Sequence, residues 1–137
     1  MHAIDRHGIL EGLKHSIQLL ACPAEVQLKL LPSFVCKADE FALDFDDWRL
    51  VAVGNFRSEL TAGQLACLDA IDGRLSELSD MGTEYWTDDA VRRSNEWQGI
   101  RALAAAALVS FGWPEEVPPS QADDYVGPQD RHDSSIW

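Results

Sequence analysis

The chain has 137 residues, and its 23 acidic and 11 basic side chains give a formal net charge of −12. This length predicts one domain with its own core, and an apolar fraction of 46% with five Trp and five Phe excludes a wholly disordered chain. The negative charge opposes binding to nucleic acid or to anionic membranes and favours a partner protein with a basic surface, although acidity also serves solubility alone.

The sequence predicts a cytoplasmic protein with reduced cysteines. The N-terminal segment has no apolar run of signal-peptide length, and no stretch reaches the roughly 18 apolar residues of a membrane span. Cys22, Cys36 and Cys67 are odd in number and widely spaced, which favours free thiols over a disulfide framework or a structural zinc site.

The first third of the chain carries two helical patterns. Apolar residues between Ile9 and Leu20 recur at helical spacing and predict a helix over 5–21. Residues 23–31 predict a second, shorter helix that stops before Pro32. The apolar residues of this second segment also alternate, so a strand is the other interpretation.

The stretch from Asp39 to Phe56 predicts a helix over 38–55. One stripe of this helix is apolar, and apolar residues elsewhere on its circumference predict a central helix buried among its neighbours. That stripe consists of Phe41, Phe45, Trp48 and Ala52. Three acidic residues share another face, which we expect to be an acidic edge in water: Glu40, Asp44 and Asp47.

Capping signals divide the next part of the chain. Thr61 and Gln64 have the spacing of a capping box, which predicts a helix that runs from there to the stop at Asp80-Met81-Gly82. Tyr85 and Trp86 fall in the linker that follows.

Two further caps predict the last helices. Thr87 begins a short helix, Ser94-Asn95 begins another over about 95–111, and Gly112 with Pro114 ends it. The fold class that follows is an all-α bundle of about five helices over 1–113. Residues 114–137 are expected to form an irregular or partly disordered tail on the bundle, docked by Trp113, Tyr125 and Trp137.

No pattern for catalysis accompanies these helices. A cluster of carboxylates on the predicted helix over 38–55 could hold a hard cation or act as an acid/base pair: Asp39, Glu40, Asp44, Asp46 and Asp47. No histidine, however, follows a glutamate at the spacing of a di-iron bundle. His7 and His15 are predicted to be surface residues, and no nucleophile elbow or phosphate-binding glycine loop occurs. We therefore predict no cofactor, no metal and no enzymatic activity.

The candidate site is a surface for a partner protein. Aromatic residues are more often core than site, but Tyr85 and Trp86 lie in a linker beside acidic residues, as at binding hot spots. The predicted partner-binding residues are Glu40, Asp44, Asp47, Tyr85 and Trp86.

Three segments carry a resemblance to a known group: FVCKADEFALDFDDW, WTDDAVRRSNEWQGIRALAAAAL and FGWP. Over residues 34–114 the chain resembles small acidic bacterial proteins similar to immunity proteins, which are cytosolic antidotes to secreted antibacterial toxins. The resemblance implies a protein-binding module that neutralises a cognate toxin, with no residue set carried over. The alternatives are a small helical regulatory or self-associating protein, monomer or homodimer, and thirdly a metal-dependent enzyme that uses the acidic edge.

Overall fold

The computed structural model describes residues 6–31 and 36–119. They form α1 (Arg6–Ala21), α2 (Ala24–Lys29), α3 (Lys37–Phe56), α4 (Ala62–Met81), α5 (Asp88–Arg93) and α6 (Asn95–Phe111), with short 3-10 helices at Arg57–Glu59 and Thr83–Trp86. No strand occurs within these ranges, which confirms the all-α prediction and the helical interpretation of α2. None of the described helices is both long and apolar enough to span a bilayer.

The predicted caps are confirmed. The Thr61 hydroxyl accepts a hydrogen bond from the backbone N–H of Gln64 at 3.0 Å, and the Gln64 side chain accepts one from the Thr61 N–H at 2.9 Å. Thr87 and Ser94 each accept from the backbone N–H three residues on and begin α5 and α6. Gly112 ends α6 in the left-handed conformation at φ 71°, where glycine has no steric penalty.

The last helix, and not α3, makes the most extensive contacts with the other helices. α6 contacts α1 and α4 most extensively and also contacts α5, whereas α3 packs mainly on α1 and meets α4 and α5 at few points. Ala104 and Ala107 are fully buried, and their small side chains let helices approach α6 closely. The prediction that α3 is the central helix was wrong, since Leu43 and Leu50 on its outer side are 37% and 55% exposed.

A glycine sets the approach of α1 to α3. The ring of Trp48 lies over Gly12, and a Cβ built at Gly12 would come within 2.4 Å of ring carbons. Carbon atoms pack at about 3.5–4.0 Å, so this contact requires the absence of a side chain at position 12. The close approach gives α3 its main packing surface.

One buried polar side chain links α2 directly to two other helices, α1 and α6. Gln27 is fully buried, and its amide nitrogen donates to the carbonyl oxygens of Leu19 and Leu20 at the end of α1, both at 3.1 Å. Its amide oxygen accepts from Arg101 of α6 at 3.1 Å, and Arg101 also donates to the Val91 carbonyl oxygen of α5 at 3.0 Å. Burial lowers the pKa of the Arg101 guanidinium from its ordinary value.

Aromatic contacts position the second 3-10 helix. Trp97 of α6 is fully buried, and its indole N–H donates to the Tyr85 carbonyl oxygen at 2.7 Å. Its ring meets Phe41 and Trp86 edge to face, with centroids 6.2 Å and 5.7 Å away. The Trp86 indole N–H donates to the Leu78 carbonyl oxygen at 3.3 Å, so the 3-10 helix is fixed between α4 and α6.

The chain after α6 is irregular as far as residue 119. Phe111 and Trp113 stack with centroids 4.4 Å apart, the Gln18 amide donates to the Pro114 carbonyl oxygen at 2.9 Å, and Pro118 is buried. These contacts hold the start of the predicted tail against the bundle. The predicted docking of Tyr125 and Trp137 lies outside the described residues.

Candidate functional site

The three predicted acidic residues of α3 do not form an exposed edge. Asp44 is only 8% exposed, and Glu40 and Asp47 are half-buried. Each of the three interacts with another group of the protein. At Asp44 the prediction of an edge in water was wrong, because this residue, three after Phe41 and just before Phe45, lies at the margin of the buried stripe.

The two predicted aromatic residues have different surroundings in the structure. Tyr85 and Trp86 are both half-buried in the 3-10 helix Thr83–Trp86 and pack against the core. Trp86 also lines a surface groove, whereas Tyr85 is not among the residues that line it.

This groove runs between α3 and α4, which are antiparallel neighbours that touch at few points. Each helix contributes a stripe at i, i+3, i+4 and i+7 spacing, which extends over about two helical turns. The α3/α4 groove, as we call it, is lined by Cys36, Asp39, Ala42, Leu43 and Asp46, by Asp72, Leu75, Ser76 and Ser79, and by Thr83 and Trp86.

The groove has a wide part and a narrow part. The wide part, ≈ 600 Å³, lies beside Cys36, Asp39 and Thr83. The narrow part, ≈ 200 Å³, lies beside Asp46 and Asp72, nearer the connection between the two helices. The two parts adjoin, since both are lined by Ala42, Leu43, Ser79 and Trp86.

The narrow part carries an excess of negative charge. Nη2 of Arg49 lies 2.8 Å from Asp46 and 3.4 Å from Asp72, so two carboxylates share one guanidinium. The Arg49 side chain is 16% exposed, whereas those of Asp46 and Asp72 are 44% and 39% exposed and stay accessible from the groove. One negative charge of this trio is therefore uncompensated and faces solvent.

The wide part is acidic as well. The Cys36 thiol donates to the Trp86 carbonyl oxygen at 3.7 Å. Partial desolvation raises the pKa of this thiol, and the negative charges of Asp39 and Asp88 raise it further. A raised pKa keeps Cys36 protonated and unreactive at neutral pH.

The groove therefore combines apolar surface with negative charge. Leu43, Ala42 and Trp86 form its apolar wall, and carboxylates lie at both ends. The described residues hold no cluster of three or more His, Cys, Asp or Glu side chains that could bind a metal ion. What this arrangement offers is recognition of a ligand that is part cationic and part apolar.

The predicted acidic residues and the α3/α4 groove lie on different faces of α3. Glu40, Asp44 and Asp47 lie roughly 120° around the helix from the groove stripe, on the other side of the buried residues. A usable signal was present, because Asp39, Ala42, Leu43 and Asp46 share helical spacing with one another, as do Asp72, Leu75, Ser76 and Ser79.

No family model, curated protein or solved structure matches this chain. The resemblance to immunity proteins consequently stays a prediction.

Proposed function

We propose that this protein is a protein-binding module that captures a basic partner in the α3/α4 groove. The observation that carries the proposal is the combination of an exposed leucine and a tryptophan ring with carboxylates at both ends of one groove. Neither an acidic surface nor an apolar patch alone would select a partner of this chemistry.

The two kinds of groups have different roles in binding. A net charge of −12 attracts a basic protein from a distance and raises the association rate, an effect that weakens with salt. Leu43 and Trp86 provide apolar area that is removed from water once the partner has docked, which slows dissociation. Trp86 is held by Trp97 and by its bond to Leu78, so it loses little freedom on binding.

The partner class that we propose is a secreted antibacterial toxin with a basic surface, which makes this chain its immunity protein. The net negative charge fits a basic toxin, and the resemblance noted in the sequence points to the same class. Neutralisation requires only that binding covers a functional surface of the toxin, and it needs no catalytic group in this chain.

Co-expression tests the proposal with a matched pair of variants. The probe is the product of the adjacent gene in the source genome, expressed in a bacterial host alone or together with this chain. Leu43→Glu places a charge in the groove wall, whereas Leu50→Glu makes the same change at an exposed leucine of α3 that does not line the groove.

We expect the adjacent product to arrest growth alone, and wild type and Leu50→Glu to restore growth. Leu43→Glu should not restore it, although circular dichroism should show the same helix content. Absence of toxicity, or absence of rescue by wild type, would overturn the antidote role. Equal rescue by Leu43→Glu and Leu50→Glu would remove the groove from the mechanism.

A further inference from the structure

We infer that the occupant of the α3/α4 groove is an α-helix of the partner that presents a cationic side chain and a large apolar side chain one helical turn apart. This inference rests on the proposed function and adds the conformation and the chemistry of the segment that binds. It follows from the backbone, the dimensions and the charge of the groove.

The walls of the groove favour a helix over an extended segment. An extended segment must place its backbone N–H and C=O groups on partners, usually at the edge of a sheet. The described residues contain no strand, and both walls are helices whose backbone groups are bonded within their own turns. A helix satisfies its own backbone, and it packs naturally between two neighbouring helices with apolar side chains in the groove.

The dimensions set the spacing of the side chains. The α4 residues that line the narrow part, Asp72 to Ser79, have their midpoint between Leu75 and Ser76, whereas Ser79 is the α4 residue that lines the wide part. At 1.5 Å per residue, the two parts are therefore offset by about 5 Å along the groove. That distance is one turn of the docked helix, which corresponds to side chains at i and i+3 or i+4. The narrow part, at ≈ 200 Å³, has room for one long side chain, given that a cavity of about 150 Å³ accommodates benzene.

The charges of the groove indicate which part takes the cationic side chain of the docked helix and which part takes the apolar one. In the narrow part, the uncompensated charge of the Asp46, Asp72 and Arg49 trio favours an arginine or lysine. Leu43 and Trp86 offer apolar contact along both parts, and the larger space of the wide part, ≈ 600 Å³, is where the large apolar side chain fits. Asp39 at the rim adds attraction for further basic residues on the same helix.

Peptide selection tests this inference without the natural partner. Two phage-displayed libraries are selected against the full chain: an alanine-rich helical 16-mer with randomised positions on one face, and a flexible linear 12-mer. Retained clones are then measured against wild type, Leu43→Glu, Asp39→Lys and the control Leu50→Glu. Asp39 is exposed, so Asp39→Lys provides a second groove variant should Leu43→Glu impair folding.

We expect the helical library to yield clones with a basic and a large apolar residue at i and i+3 or i+4. Their affinity should fall at least tenfold for Leu43→Glu and Asp39→Lys, stay unchanged for Leu50→Glu, and decrease with salt. The inference is overturned by failure to enrich helical clones, by enrichment from the linear library alone, or by clones insensitive to the groove variants. Sedimentation that shows a dimer abolished by the same variants would also overturn it, because a second copy would then be the occupant.

The two proposals fail separately. If rescue depends on the groove but no helical clones are selected, the antidote role stands and the helical occupant is refuted. If helical clones of the expected pattern are selected but the chain does not rescue growth, the specificity of the groove stands and the toxin is refuted as the partner.

Discussion

Replacing Gly12 with alanine should destabilise this protein, although alanine is the better helix residue. In α1 the change alone would add up to about 1 kcal/mol of stability. The new Cβ would, however, lie within 2.4 Å of the Trp48 ring. Either α1 and α3 separate, or the ring swings away and loses its packing, and each outcome costs about 2–3 kcal/mol. The net result is a loss of about 1–2 kcal/mol.

Gly73 provides the matched control for this substitution. It lies within α4, it is exposed, and a Cβ there would meet nothing within 4 Å. Gly73→Ala should therefore stabilise the protein by up to about 1 kcal/mol. Urea unfolding followed by far-UV circular dichroism measures both changes, and a loss of 1 kcal/mol corresponds to about 3 °C in thermal midpoint.

A second background isolates the contact itself. In Trp48→Leu the large ring is gone, so Gly12→Ala should become neutral or stabilising, which gives a coupling energy of about 1–3 kcal/mol between the two positions. Equal stabilisation by Gly12→Ala and Gly73→Ala in the wild-type background would refute the close packing of α1 on α3.

Two other predictions concern buried and groove residues. Gln27→Met should cost about 2–4 kcal/mol, because it removes one hydrogen bond each from the Leu19 and Leu20 carbonyls and from the half-buried Arg101 guanidinium. The same change at exposed Gln98 should cost little in urea unfolding, and a similar cost at both sites would contradict this reasoning. Alkylation of Cys36 by iodoacetamide, followed by mass spectrometry, should be slow at neutral pH because the raised pKa keeps the thiolate fraction low. Asp39→Asn removes a charge that raises this pKa, so the pH–rate profile should move to lower pH, and an unmoved profile would argue against the acidic wide part of the groove.

The helices of this protein are predictable from the sequence because their ends depend on neighbouring residues. Thr61 with Gln64 and Ser94 with the N–H of Trp97 form their hydrogen bonds within one turn, so the residue types already specify the cap. The apolar stripe of α1 is likewise buried as its spacing predicts. These features require no knowledge of which helix lies next to which.

Which helix is central and where the groove lies depend on tertiary packing, and the spacing of apolar residues in the sequence does not specify either. The apolar residues of α3 indicate which faces avoid water but not how many neighbours cover them, so α3 was mistaken for the centre. Ala104 and Ala107 of α6 have small apolar side chains, and yet both are fully buried in the helix that makes the most extensive contacts. Likewise, acids flank both sides of the buried stripe of α3, and only the position of α4 decides that Asp39 and Asp46 face the groove.

The pairing of α1 with α6 bears on how the chain acquires its structure during synthesis. These two helices are the first and last of the described helices, and their contact is one of the most extensive in the molecule. While the chain is being made, α1 can meet α3, but the remainder of its apolar stripe has no cover until residues 95–111 have emerged. Contacts so distant in sequence slow folding relative to a bundle of local hairpins. A nascent chain that stalls before α6 would therefore present the buried face of α1 to chaperones and proteases.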